Sequence, residues 1–308
     1  MTVAVSMIAV LFLFGLLVDV TFTLFSPFGR HGGSLHRLQN RALWSAFRSL
    51  ARVFGRGMGS QVLSLAGPVR VLWTVLFWSG WLIVAFALLY LPHLDFFRTL
   101  TPAAAPRWLD AIYYSGYVAT TLGVGDILAT SGPMRLLTVV EAVLGFSLFA
   151  VSTTYALTVT REAGSTAVLA LEISALRRLL ATREVLESGR AVTAGLGQRR
   201  AESWAGALVR ITDAHRRYPL LHYFRASEED RSLLVQVGWL VGEADRPLPS
   251  APVGGPAGRL LVAAVDGYLE QLNFGCVPPS FLPLPEGGGT REARYHRLLA
   301  HLDWRDEE

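Results

Sequence analysis

Apolar residues run almost unbroken through three blocks in the first 160 positions, then break into short clusters between charges. The first block, residues 1–28, carries a single charge, Asp19, and is long enough to cross about 30 Å of hydrocarbon. It could be read as a cleaved signal peptide, but it has no basic leader and no small-x-small cleavage site, which favours a retained spanning helix. Asp19 then belongs near the headgroups, because a carboxylate at mid-bilayer is costly. The second block, Val71–Pro92, is uncharged and carries Trp73, Trp78, Trp81 and Tyr90, residues suited to interfacial anchoring. The third, Met134–Thr160, holds Arg135 at its start and Glu141 inside. Between the second and third lies Trp108–Leu122, moderately apolar and too short to span, which predicts a re-entrant segment.

Beyond residue 165 the apolar positions recur at three- and four-residue spacing, the signature of amphipathic helices. Helices are expected over Val168–Glu187, Glu202–Phe224, Glu228–Val241, Gly258–Asn273 and Arg291–Asp303. Stretches rich in proline and glycine at 246–258 and 277–289 separate the later ones. Composition supports this division. Of 308 residues, 52% are hydrophobic and only 17% charged, too apolar for an average soluble domain, and the excess sits in the first half. All 28 basic residues are arginine. The single cysteine, Cys276, excludes an intrachain disulfide and argues against a thiolate zinc site.

Charge placement sets an orientation. Residues 26–70 contain Arg30, Arg37, Arg41, Arg48, Arg52, Arg56 and Arg70 and no acidic residue. The positive-inside rule makes this loop cytoplasmic, so the N-terminus is outside and the charged remainder after Arg161 is inside. Within the loop, apolar residues from Leu35 to Phe54 alternate with Arg37, Arg41, Arg48 and Arg52. That pattern fits a helix in the inner interface with arginines at anionic lipid phosphates, or a helix packed on the soluble half. Arginines do not repeat inside any spanning block, so a voltage sensor is not supported.

Residues 120–126 read Thr-Thr-Leu-Gly-Val-Gly-Asp, placed after the re-entrant segment and before the third block. This segment resembles the pore signature of the potassium channel superfamily, usually Thr-Val-Gly-Tyr-Gly-Asp. The resemblance implies a filter in which the carbonyls of Thr121, Leu122, Gly123 and Val124 line an ion ladder. Gly123 and Gly125 would supply the left-handed backbone, and the Thr121 hydroxyl the innermost oxygens. It implies four copies around an axis, hence a homotetramer, with potassium as permeant ion and no cofactor. Trp108–Thr120 would be the pore helix, its negative dipole end facing the cavity. Filter support would come from Thr120, Asp126, Tyr113 and Tyr117, with Tyr113 expected to bond Asp126. The chain departs from the family at Leu122, a small change, and at Val124, where the ring behind the filter is lost. Tyr117 stands where some members have a pore-helix glutamate.

Glu141, an intramembrane carboxylate, is a functional candidate. It could support the filter through Tyr113, Tyr117 or backbone amides, be protonated and simply packed, or contact the ion. Gly145 stands where the family often has a gating hinge, although a single glycine in a spanning helix is also a packing site. Ser152, Thr153 and Thr154 could face the cavity or bond their own helix.

The expected architecture is an all-α membrane protein in four parts. An N-terminal transmembrane helix (1–28) and a basic cytoplasmic or interfacial linker (29–69) precede a potassium-channel-like pore domain (70–163). A helical cytoplasmic domain (164–308) follows. No nucleotide-binding glycine fingerprint, EF-hand loop, serine nucleophile elbow or cofactor fingerprint is present, so an enzyme is not expected. His215, His222, His296 and His301 do not form a convincing metal set. The expected function is a homotetrameric, potassium-selective channel of the plasma membrane, gated through the cytoplasmic domain, with no nucleic-acid partner. Three alternatives are open: a weakly selective monovalent cation channel, a non-conducting receptor or scaffold, and a transporter subunit. Transporters that reuse this pore fold carry four such repeats in one chain, and this chain has one.

Overall fold

The computed structural model describes residues 2–25, 64–100, 107–180, 190–224, 228–245, 255–275 and 290–302, with short stretches between 45 and 62. The described chain is helical apart from one small sheet. It divides into two units, one built on Met1–Ser26, His31–Arg37 and Val69–Thr158, the other mainly on Val159–Glu308.

In the first unit, α1 (Thr2–Phe25) and α2 (Ala66–Tyr90) are long and apolar enough to cross a membrane, as is α4 (Gly132–Leu180). Helix α2 ends where Pro92 enters and the chain tightens into a 3₁₀ turn over Leu91–Phe96, since proline cannot supply the next backbone donor. A short strand β1 (Phe97–Thr99) pairs antiparallel with β2 (Ile127–Ala129), in register Phe97↔Ala129 and Thr99↔Ile127. Between them lies the amphipathic helix α3 (Arg107–Ala119), which buries Ala111, Tyr114, Ser115, Tyr117 and Val118. The core behind it gathers Trp78, Leu82, Phe86 and Tyr90 of α2 with Leu148 of α4 and Leu16 of α1. Helix α1 is further fixed by the indole Nε1 of Trp78, which donates to the Asp19 carboxylate at 2.9 Å. Asp19 is thus paired with an indole on a neighbouring helix.

The small sheet was not expected, because three-residue strands leave no periodic signal. The more consequential difference lies in α4. The spacing predicts two helices, Met134–Thr160 and one starting at Val168; the structure has one 49-residue helix through both. Arg161, Glu162 and Gly164 read as a boundary, yet charged residues are good helix formers, and one glycine costs only about 1 kcal/mol. The division between units falls within this helix, after Thr158.

In the second unit, the later part of α4 is joined by α5 (Arg190–Arg217), α6 (Leu233–Asp245), α7 (Gly255–Gly275) and α8 (Arg291–Leu302). Helix α5 stops before Pro219, so residues 219–223, expected to be helical, form a 3₁₀ turn instead. The core packs Ile173, Trp204, Leu208, Leu240, Leu261 and Leu298, one or more from each helix. The Trp204 indole donates to Glu172 at 3.0 Å, and Arg291 grips Asp266 through two hydrogen bonds of 2.6 and 2.9 Å. His215 is buried, donating from Nδ1 to the Ile211 carbonyl at 2.9 Å with its ring edge-on to Tyr268. Its burial pushes its pKa down to about 4.

Candidate ion pore

Helix α3 is short because Gly116, Thr120 and the glycines beyond offer no further helical run. Its end is capped by close turns. The Thr121 amide donates to Val118 at 3.0 Å and the Leu122 amide to Tyr117 at 2.8 Å. The Thr120 hydroxyl folds back on the Gly116 carbonyl at 2.7 Å. The chain then runs through residues 121–125 with φ of 57° at Thr121, 59° at Gly123 and 78° at Gly125. Leu122 and Val124 stay on the negative side, so handedness alternates residue by residue. Alternation of this kind lets successive carbonyls project to one side. Glycine takes up the left-handed conformation without steric cost, whereas Thr121 holds it at a cost of roughly 1–2 kcal/mol. Strain of this size persists where surrounding structure enforces it, as at functional sites.

Among the described residues, the carbonyls of Thr121, Leu122, Gly123 and Val124 accept no backbone hydrogen bond. The side chains of Leu122 and Val124 are 71% and 51% exposed. The segment therefore presents a row of unpaired acceptors on a fixed backbone. Its far end is pinned by the Asp126 carbonyl, which accepts from Leu100 N at 2.8 Å, and by the β1–β2 pairing that follows.

Tyrosines of α3 stand behind this row. Tyr113 meets Tyr117 edge-on at 5.3 Å, and Tyr117 meets Tyr114 at 5.1 Å. The Tyr117 hydroxyl donates to the Ile127 carbonyl, two residues past Gly125. The Tyr113 side chain lies within electrostatic reach of the Asp126 carboxylate. Beside Tyr114, Tyr117, Thr121, Gly123 and Gly125 there is a cavity of about 420 Å³.

Glu141 is fully buried. Its expected partners were Tyr113, Tyr117 or backbone amides; instead Tyr90 of α2 donates to Oε2 at 2.7 Å, and Ser115 of α3 bonds Oε1. Helical geometry explains the difference: Ser115 lies on the α3 face turned to the spanning helices, whereas Tyr113 is turned away and exposed. Tyr90 and Ser115 were missed because they lie 51 and 26 residues from Glu141, and a hydroxyl partner leaves no spacing signal.

Gly145 is a packing contact. A Cβ built there would lie 2.1 Å from the Ala119 carbonyl oxygen, so the end of α3 rests directly on the bare backbone of α4. Helix α4 passes through Gly145 without a break. Thr153 and Thr154 bond the carbonyls of Phe149 and Ala150 on their own helix, each at 2.9 Å, and Ser152 is buried. Of the lipid-facing arginines expected in the basic loop, Arg37, Arg41 and Arg48 lie outside the described residues, while Arg52 is exposed. Among the described residues, no three of the histidine, cysteine and acidic side chains cluster as a metal site.

Comparison with known proteins agrees with this geometry. Residues 71–162 match the family described as "Ion channel". The match takes in α2, α3, the residues 120–126 and the membrane part of α4. The chain is also similar to an uncharacterized membrane protein, YdjJ, of Bacillus subtilis (strain 168), with 28% identity over 229 residues. That similarity covers 68% of this chain and 59% of the relative, so the chain spans less than two thirds of its relative's length. No solved structure gives a significant match. The chain thus joins three helices long and apolar enough to cross a membrane to a segment similar to an ion-channel family, and the first of those helices precedes that segment.

Proposed function

We propose that this protein is a homotetrameric, potassium-selective channel in which the carbonyls of Thr121, Leu122, Gly123 and Val124 replace the hydration shell of K⁺. The observation that carries this reading is the alternating handedness at Thr121, Gly123 and Gly125, in a loop that follows a re-entrant helix between two spanning helices. Unpaired carbonyls on such a backbone suit a dehydrated cation, and one segment per chain requires several chains around an axis. The apolar surface that α4 leaves exposed, including Leu136, Val139, Val143 and Phe146, fits burial against neighbouring subunits or lipid. The basic loop before α2 favours an orientation with α1 starting outside and residues 164–308 in the cytoplasm, in the plasma membrane. The C-terminal unit would then transmit a gating signal.

Val124 favours a second reading, a monovalent cation channel of lower selectivity. The small side chain is half-exposed, and the cavity borders the adjacent glycines. The reversal potential of reconstituted protein between K⁺ and Na⁺ solutions separates the two. A potential near the K⁺ equilibrium value is expected; one near zero supports the weakly selective channel. Absence of any cation current contradicts both.

A further inference from the structure

A carboxyl group buried inside a membrane unit, with no cation beside it, is an expensive feature. Glu141 is such a group: it is fully buried, and no salt bridge among the described residues includes it. Its two oxygens instead join three helices. Oε2 accepts from the Tyr90 hydroxyl at the end of α2, and Oε1 bonds Ser115 in the middle of α3. Ser115 also donates to the Ile83 carbonyl of α2 at 2.9 Å. Tyr90 and Ser115 are themselves fully buried.

From this point a continuous run of rings leads to the filter. Tyr90 meets Tyr114 edge-on at 5.0 Å, Tyr114 meets Tyr117 at 5.1 Å, and Tyr117 bonds the Ile127 carbonyl just beyond Gly125. Tyr114 is held in turn by Thr138 of α4 at 2.6 Å. Within one chain the filter residues are anchored at their two ends, by the turns from α3 and by the Leu100–Asp126 bond, while the side chains of Leu122 and Val124 between them are exposed. The position of the filter backbone therefore depends on where α3 is held, and Ser115 is the α3 side chain that ties it to Glu141.

We propose that Tyr90, Ser115 and Glu141 form a selectivity-determining brace. It fixes α3 against α2 and α4 so that the carbonyl row keeps the spacing that favours K⁺ over Na⁺. This inference rests on the reading of residues 121–125 as a potassium filter. The three are positioning residues, since none touches the ion path. Proton counting predicts which substitution is tolerated. Ser115 has one hydroxyl proton and two acceptor neighbours, so the network is complete when position 141 supplies a donor to Ser115 and an acceptor to Tyr90. Glutamine offers both; leucine offers neither.

The test is the K⁺/Na⁺ permeability ratio, from bi-ionic reversal potentials of the full chain in planar bilayers. The wild type is compared with Ser115→Ala, Tyr90→Phe, Glu141→Gln and Glu141→Leu. Ser115→Ala and Glu141→Leu are expected to lower the ratio by at least about tenfold while K⁺ current persists, the scale of one lost hydrogen bond to a carboxyl group. Glu141→Gln is expected to hold the wild-type ratio within about twofold while Glu141→Leu, of similar volume, does not; a mere cavity-filling role would leave both at the wild-type ratio. Should Glu141→Leu fail to assemble, Ser115→Ala and Tyr90→Phe decide, because each removes little beyond a hydroxyl. A selective wild type whose Ser115→Ala and Tyr90→Phe variants are equally selective overturns the brace alone. A wild type that does not prefer K⁺ overturns the filter reading, and the brace with it.

Discussion

Residues 121–125 and the core of the C-terminal unit hold their shapes by opposite means. In residues 121–125 the side chains of Leu122 and Val124 are largely exposed, and the conformation is carried by backbone: three left-handed residues, two close turns from the end of α3, and an anchoring strand pair. In the C-terminal unit Ile173, Trp204, Leu208, Leu240, Leu261 and Leu298 are fully buried, and side-chain volume does the holding. A methyl group on the Cα of Gly123 or Gly125 is expected to disturb the first region, and lost side-chain volume the second.

The sharpest way to separate them is to damage one and read the other. Trp204→Ala removes a buried indole and its hydrogen bond to Glu172. It is expected to destabilise the C-terminal unit by about 3–5 kcal/mol, read as a lowered thermal midpoint of that unit. The K⁺/Na⁺ permeability ratio should stay at its wild-type value, since no filter contact is touched.

The converse experiment is Gly145→Ala. The added methyl would meet the Ala119 carbonyl, so α3 must shift where it leads into the filter. The expected cost is about 1–3 kcal/mol in the pore unit, with K⁺ current lost or strongly reduced. The melting of the C-terminal unit should not change. Current at wild-type level would show that α3 and α4 are free to separate there.

A smaller effect depends on pH. The folded-state pKa of His215 is pushed down to about 4 by burial, below the ordinary value of 6.5. Between these values the unfolded chain binds a proton that the folded unit refuses. Stability is therefore full above about pH 6.5 and declines as pH falls toward 4, by at most about 1.4 kcal/mol per pH unit. Thermal melts at pH 7.5 and 5 measure it, and His215→Gln should flatten the slope. The smallest effect is expected at the exposed Asp213–Arg217 pair, 2.7 Å apart with both side chains about half-exposed. Arg217→Gln should cost roughly 0.5 kcal/mol or less, seen as a shift in thermal midpoint that disappears in high salt.

The same contrast governs what could be read before any coordinates. The backbone of residues 121–125 was legible because its conformation is written in residue type: Gly123 and Gly125 stand where φ is positive, between the flanking apolar blocks. What escaped was everything set by packing between distant segments. Nothing in the spacing links Glu141 to Ser115 and Tyr90, and the packing role that the sequence allows Gly145 does not name Ala119 as its neighbour. The run across residues 161–166 was misread for a different reason: charge and glycine signal a boundary only when no neighbouring turns sustain the helix. In the C-terminal unit the positions of most helices were legible from their periodicity. Their mutual arrangement was not, because leucine and alanine stripes of this kind suit many helical packings.

The most direct test of the account is K⁺ uptake into proteoliposomes by the wild type and by Gly123→Ala, measured side by side with the oligomeric state of each. At φ 59° an alanine Cβ is strained by roughly 1–2 kcal/mol, enough to displace the carbonyl row but not to unfold the chain. The expected result is K⁺ uptake by the wild type and none by the variant, with both tetrameric. K⁺ uptake by Gly123→Ala at the wild-type rate would contradict the claim that residues 121–125 conduct the ion.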